Sequence, residues 1–152
     1  MAIKLKNYAL RLREQNFIYE SDTPIKCSAD IAELLFNRKY HLYDRELSGI
    51  ILLDSQGDVK GISEISIGTL TEALVHPREV FKVAIYASAA AIVFFHNHPS
   101  GSITPSASDI STTRNLKEAG KILQIKLLDS IILGSNGDYC SMRDEGCFNN
   151  WD

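Results

Sequence analysis

The feature that most constrains the fold is a short apolar block that runs straight into two histidines. Residues 89–95 read Ala-Ala-Ala-Ile-Val-Phe-Phe and lead directly into His96-Asn97-His98. A short continuous apolar run of this kind is predicted to be a buried strand. Side chains two apart on a strand point the same way, so His96 and His98 aim two imidazoles at one point. Pro99, Gly101 and Pro105 mark a stiff loop, and Ser106-Ala107-Ser108-Asp109 follows it. That tetrad has the [Ser/Thr]-x-x-[Asp/Glu] form of a helix start. The whole pattern is H-x-H-x7-S-x2-D, a strand end with two imidazoles joined to a helix N-terminus with a carboxylate.

Each half has an ordinary explanation. Ser106 and Asp109 alone make a helix cap, and two histidines at a strand end are often incidental. Their combination points further. Three ligands on regular elements, with a fourth position left for water, suit a catalytic zinc ion better than a closed structural one. The readings coexist, because a capped first turn fixes the aim of Asp109. Zinc lowers the pKa of a bound water towards about 7 and needs a carboxylate beside it to move protons. The acids available are Glu33, Glu46, Glu64, Glu72 and Glu79. Glu46 is best placed, since it opens an apolar run over residues 47–53 that reads as a core strand. The alternative for Glu46 is a solvated loop acid.

The remaining elements alternate between strands and helices, which predicts an α/β class with a mixed central sheet and flanking helices. Residues 7–20 alternate in part and read as one or two strands, broken by Pro24. Ser28 reads as a helix N-cap, with Ile31, Leu34 and Leu35 on one face of a helix of about ten residues. Ser55-Gln56-Gly57-Asp58 is a turn joining the strand at 47–53 to an antiparallel one at 59–67. Pro77 reads as the first position of a helix whose apolar face holds Val80, Phe81, Ala84 and Ile85. A helix is predicted from near Ala107 to Gly120, a natural residue just past a helix end. Residues 127–133 form a further core strand, and Ser135-Asn136-Gly137-Asp138 turns it into a returning strand at 139–142. Gly101 reads as a turn residue, His41 as solvated, and His76 as flanking a helix start or contacting substrate.

A chain of 152 residues is long enough to bury one core. Sixteen Lys+Arg against nineteen Asp+Glu give a formal charge of −3, and no basic tract extends beyond Arg38-Lys39 and the alternating Arg11 and Arg13. Nothing here has the footprint of a nucleic-acid-binding surface. Cys27, Cys140 and Cys147 include no C-x-x-C, which argues for reduced structural cysteines. The longest apolar run is too short to span a bilayer and the N-terminus lacks an apolar signal core, so a soluble cytoplasmic protein is expected.

The motif itself resembles a known family. H-x-H-x7-S-x2-D with an upstream glutamate at a strand start is similar to the JAMM (MPN-plus) motif of zinc metalloisopeptidases. Glu46-Leu47-Ser48-Gly49-Ile50-Ile51 is similar to the glutamate-bearing strand of that family. Ser66-Ile67-Gly68-Thr69-Leu70, Val75-His76-Pro77-Arg78-Glu79-Val80-Phe81, His96-Asn97-His98-Pro99-Ser100-Gly101 and Leu128-Asp129-Ser130-Ile131-Ile132-Leu133-Gly134 resemble its bacterial RadC-like branch. The likeness runs from about residue 40 to residue 146.

The resemblance implies a cytidine-deaminase-like (JAB/MPN) fold and one zinc ion per chain, held by His96, His98 and Asp109 with a water in the fourth position. It implies that Glu46 takes a proton from that water and passes it to the leaving amine, and that Ser106 donates a hydrogen bond to the developing oxyanion. Members that are peptidases cut peptide or isopeptide bonds. Deamination is disfavoured, because zinc deaminases carry H-x-E and a later P-C-x-x-C. The implied organisation is an N-terminal extension over residues 1–40, a strand plus a short helix, then the catalytic domain over 41–146 and a tail over 147–152. The extension lacks a glycine-rich helix-hairpin-helix, which counts against the family's traditional DNA-repair label. A scaffold module without turnover is the other alternative, and the intact motif disfavours it. The expected partner is a peptide or protein substrate of unnamed identity; oligomeric state is not readable.

Overall fold

The computed structural model describes residues 25–68 and 75–151. The strands expected over residues 7–20 and the candidate acid Glu72 lie outside the described residues.

A five-stranded mixed sheet organises the described chain, in the order β2-β1-β3-β4-β5. The strands are β1 (Leu47–Leu53), β2 (Val59–Ile67), β3 (Ala91–His98), β4 (Lys126–Gly134) and β5 (Tyr139–Ser141). Only β3 and β4 run parallel; the other neighbours are antiparallel. A parallel pair needs a long crossover, and the 17-residue helix α3 (Ala107–Leu123) supplies it. Helices α1 (Ser28–Asn37) and α2 (Pro77–Tyr86) complete the set, with a short 3-10 turn at Tyr40–Leu42.

Helices cover both faces of the sheet. Ile31, Leu34 and Leu35 of α1 pack with Leu47, Ile51, Val93, Phe95, Ile131 and Leu133. Val80, Phe81 and Ala84 of α2 and Leu116 of α3 pack with Ile50, Leu52, Ile92, Phe94 and Ile132. Alternate residues of each central strand therefore enter opposite cores, and β1 is buried at every position. A strand buried on both faces reads as an unbroken apolar run, as 47–53 and 91–95 do. Each fully buried Leu, Ile or Phe contributes roughly 1.5–3 kcal/mol of transfer free energy.

Four local expectations are corrected. Cys27, not Ser28, stands at the N-cap of α1; Ser28 is the first helical residue, buried, and its hydroxyl donates to the Asp144 carboxylate. Ile85 is 56% exposed, so the apolar face of α2 is narrower than the spacing suggests. α3 runs past Gly120 to Leu123 and closes on Gln124 in the left-handed region, at φ 58°. Gly120 is a close-approach residue instead: a Cβ there would meet the Ile125 carbonyl oxygen at 2.4 Å and the Phe81 ring at 3.3 Å. His41 is half-buried, its ring edge-on to Phe36 at 4.9 Å, because the turn at 40–42 folds back on α1.

Both expected hairpin turns form, around Gly57 (φ 90°) and Gly137 (φ 93°). Among the described residues all three cysteines are free, and burial pushes the Cys140 thiol up to about 11. No helix of the described residues is long and apolar enough to cross a membrane.

Candidate metal centre

The last residues of β3 deliver the two histidines. His96 sits among buried strand positions and is 5% exposed, while His98, at the strand end, is half-buried. Both belong to the face covered by α2 and α3, since Phe94 two residues earlier packs there. α3 begins beside them. Ser106 is its N-cap: the Ser106 hydroxyl accepts from Asp109 N–H at 3.0 Å, and Asp109 Oδ2 accepts from Ser106 N–H at 2.8 Å. The capping box is therefore real, and it clamps the carboxylate by one oxygen.

The three side chains converge. His96 Nε2 lies 3.1 Å from Asp109 Oδ1, His98 Nε2 lies 3.3 Å from Asp109 Oδ2, and the two Nε2 atoms are 3.1 Å apart. A zinc ion bound tetrahedrally at about 2.0–2.1 Å needs ligand atoms about 3.3 Å from one another. The two imidazoles approach different oxygens of the carboxylate, one donor atom from each residue lies within 4.8 Å of the others, and the cluster can hold a metal ion. The donor set, two imidazoles and one carboxylate, suits zinc, and three protein ligands leave a tetrahedral corner open.

Neighbouring groups fix the ligating forms. His98 Nδ1 is 2.7 Å from the Ser102 carbonyl oxygen. A carbonyl only accepts, so Nδ1 carries a proton and Nε2 is the nitrogen that would bind a metal; without a metal, Nε2 can carry a proton to Asp109. The Asp109 hydrogen bond holds the His98 pKa above its ordinary value, against the opposing effect of burial. Burial works to raise the Asp109 carboxyl, but hydrogen bonds from His96 and His98 outweigh it and hold it well below the usual range. The ligand loop is pinned to the sheet at Gly134, where an added Cβ would meet the Gly101 carbonyl oxygen at 2.8 Å. Gly101 itself closes a turn, donating to the His98 carbonyl at 3.0 Å.

Glu46 immediately precedes β1. The β1–β3 pairing ends at Ser48 and His96, and Glu46 lies two residues beyond that end. The charge of Glu46 acts on His98 and favours its protonated form. The other described acids lie elsewhere. Glu33 is exposed on α1, on the far face of the sheet. Glu64 pairs with Gly49 and acts on Tyr40, also on the α1 side. Glu79 binds Lys82 at 2.5 Å in the first turn of α2. His76 is the N-cap residue of α2 and makes no side-chain cap bond.

Asn97, between the two histidines, carries no chemistry in the pattern, yet it is 1% exposed. Its Oδ1 accepts from Leu47 N–H at 2.7 Å, and its Nδ2 donates to the Arg45 carbonyl at 3.1 Å and the Tyr43 carbonyl at 3.3 Å. It thus grips the backbone on either side of Glu46. The available signal was strand alternation: an amide between His96 and His98 must enter the opposite core, where it needs partners.

The RadC-like JAB domain family matches residues 25–147 of the chain. The chain belongs to the RadC-like JAB domain family. A UPF0758 protein of Staphylococcus carnosus is 43% identical over 142 residues, covering 92% of this chain and 62% of that protein. One of Syntrophomonas wolfei is 47% identical over 116 residues, covering 76% and 48%. A third, of Moorella thermoacetica, is 47% identical over 124 residues, covering 82% and 53%. The chain thus spans between 48% and 62% of the length of these relatives. In this RadC-like JAB domain the matched segment includes α1, the whole sheet and the His96–His98–Asp109 cluster.

Proposed function

We propose that this RadC-like JAB domain is a zinc-dependent hydrolase of peptide or isopeptide bonds, with one zinc ion per chain. The observation that carries the reading is the convergence of His96, His98 and Asp109 into one cluster able to hold a metal ion, with the charge of Glu46 acting on His98. A zinc ion held there supplies a polarised water near neutral pH.

The chain's own residues do the rest. Glu46 takes a proton from the attacking water and returns it to the leaving amine as the carbon–nitrogen bond breaks. The Ser106 hydroxyl uses its oxygen in the helix cap, so its proton is available for the carbonyl oxygen as charge builds there. Asn97 holds the backbone that carries Glu46. Within this reading the sheet with α2 and α3 forms a cytidine-deaminase-like domain over residues 41–146, α1 of the N-terminal extension packs against it, and the protein works in the cytoplasm. The intact ligand cluster favours catalysis over a scaffold role.

The test is zinc-loaded protein against a peptide library, with products read by mass spectrometry. Cleavage by wild type and none by Glu46→Gln, at equal zinc content, is the expected result. Equal cleavage by both removes Glu46 from the mechanism, and a zinc-loaded wild type that cuts nothing removes the peptidase reading.

A further inference from the structure

A histidine that binds metal through one ring nitrogen needs a partner for the other, which sets its tautomer and orientation. His98 has one in the Ser102 carbonyl. His96 does not: its Nδ1 is buried and makes no hydrogen bond. One other polar atom nearby is in the same state. Ser48 Oγ is buried without a partner, on a side chain 1% exposed.

These two residues are directly paired across β1 and β3. Cross-strand partners carry their Cβ atoms about 4.5–5.5 Å apart on one face of a sheet. Ser48 is also out of character for its strand, which reads Leu-Ser-Gly-Ile-Ile-Leu-Leu and is buried throughout. A hydroxyl in such a place carries a desolvation cost that only a hydrogen bond offsets.

We propose that Ser48 is the positioning residue of His96. Its hydroxyl accepts the Nδ1–H of His96, directly through another staggered rotamer or across one buried water; both hold the ring with the Nε2 lone pair towards Asp109 and His98. The inference rests on the metal-site reading above. It gives each ligand histidine its own acceptor: a backbone carbonyl from the ligand loop for His98, and a side chain from the neighbouring strand for His96.

Zinc affinity by chelator competition, on wild type, Ser48→Ala and Ser48→Thr, tests this together with long-range proton–nitrogen NMR of the His96 ring. We expect Ser48→Ala to bind zinc about 10-fold more weakly, with an apo melting curve still cooperative, and Ser48→Thr to stay within about twofold of wild type. In zinc-loaded wild type, the His96 Nδ1–H should be present and slow to exchange with solvent; in Ser48→Ala it should exchange faster. The idea is overturned if Ser48→Ala binds as tightly as wild type, or if the wild-type spectrum puts the proton on Nε2. The NMR measurement on wild type decides the matter even if a variant fails to fold. A wild type that takes up no zinc at all instead sinks the metal-site reading, and so separates the two failures.

Discussion

The Asn97 side-chain oxygen accepts the backbone N–H of Leu47 at 2.7 Å, which ties the strand bearing His96 and His98 to the chain beside Glu46. The same amide donates to the carbonyls of Arg45 and Tyr43. Substituting Asn97→Leu leaves a buried N–H and two carbonyls short of partners. Each costs about 1–3 kcal/mol if water cannot reach it. Chemical denaturation should show a loss of at least ~2 kcal/mol. Asn97→Asp keeps the acceptor for Leu47 N–H but turns an anionic oxygen towards the Arg45 and Tyr43 carbonyls, so it should also lose stability. Its zinc affinity should stay near wild type while any Glu46-dependent turnover falls. Equal turnover in wild type and Asn97→Asp would show that the grip on residues 45 and 47 does not position Glu46.

Asp109 serves both the ligand cluster and the α3 cap, and one substitution separates the two. Asp109→Asn keeps a side-chain oxygen for Ser106 N–H but makes a poor metal ligand. Asp109→Ala loses both functions. Wild type should retain about one zinc per chain by metal analysis, and both variants should lose most of it. Only Asp109→Ala should also lose roughly 1 kcal/mol of apo stability from the broken cap. Retention of zinc by Asp109→Asn would take Asp109 out of the ligand set.

Ser106 has the same double character. Its oxygen serves the cap, and in the proposed reaction its proton goes to the substrate carbonyl. Glycine is nearly as good an N-cap as serine, costing only a few tenths of a kcal/mol. Ser106→Gly should therefore hold stability and zinc content while lowering turnover by about 10²–10³, the usual effect of losing one oxyanion donor. Unchanged turnover would leave Ser106 with the cap alone.

Much of this arrangement was legible in the chain itself, because it was written locally. The strands at 47–53 and 59–67 and the turns at Gly57 and Gly137 follow from apolar runs and turn residues. The H-x-H and the capping box likewise announced the ligand cluster. What was not legible depends on tertiary neighbours. Gly120 has the identity of a helix terminator, and only the approach of Ile125 and Phe81 explains it inside α3. Ser28 has the identity of a cap, but Asp144, far along the chain, claims its hydroxyl. Above all, the placing of Glu46 near the end of β3 depends on strand register, which a one-residue slip would reverse in facing. No local pattern states that register, and the Asn97 bonds hold the backbone on either side of Glu46 to β3.

Gly120 makes its own prediction. In an exposed helix interior, glycine to alanine should stabilise by about 1 kcal/mol. Here the added methyl would meet the Ile125 carbonyl at 2.4 Å, on backbone that cannot swing aside. The clash should win, and Gly120→Ala should lower the unfolding free energy by about 1–3 kcal/mol. A stabilised variant would mean that the α3–β4 connection relaxes more easily than its packing indicates.

The Ser28–Asp144 bond predicts a pH dependence. The Ser28 hydroxyl, foremost among several groups, holds the Asp144 carboxyl below its ordinary value of 3.8. A carboxylate depressed in the folded state binds fewer protons there than when unfolded. Its stabilisation is therefore complete above the ordinary value and is lost as pH falls through the depressed one. Ser28→Ala removes that bond, which joins α1 to the turn after β5. Melting temperatures of wild type and Ser28→Ala should differ most near neutral pH, with wild type higher, and should converge as the buffer is taken below about pH 4. A gap that stays constant across that range would assign the loss to packing of the buried hydroxyl, with no contribution from the carboxylate.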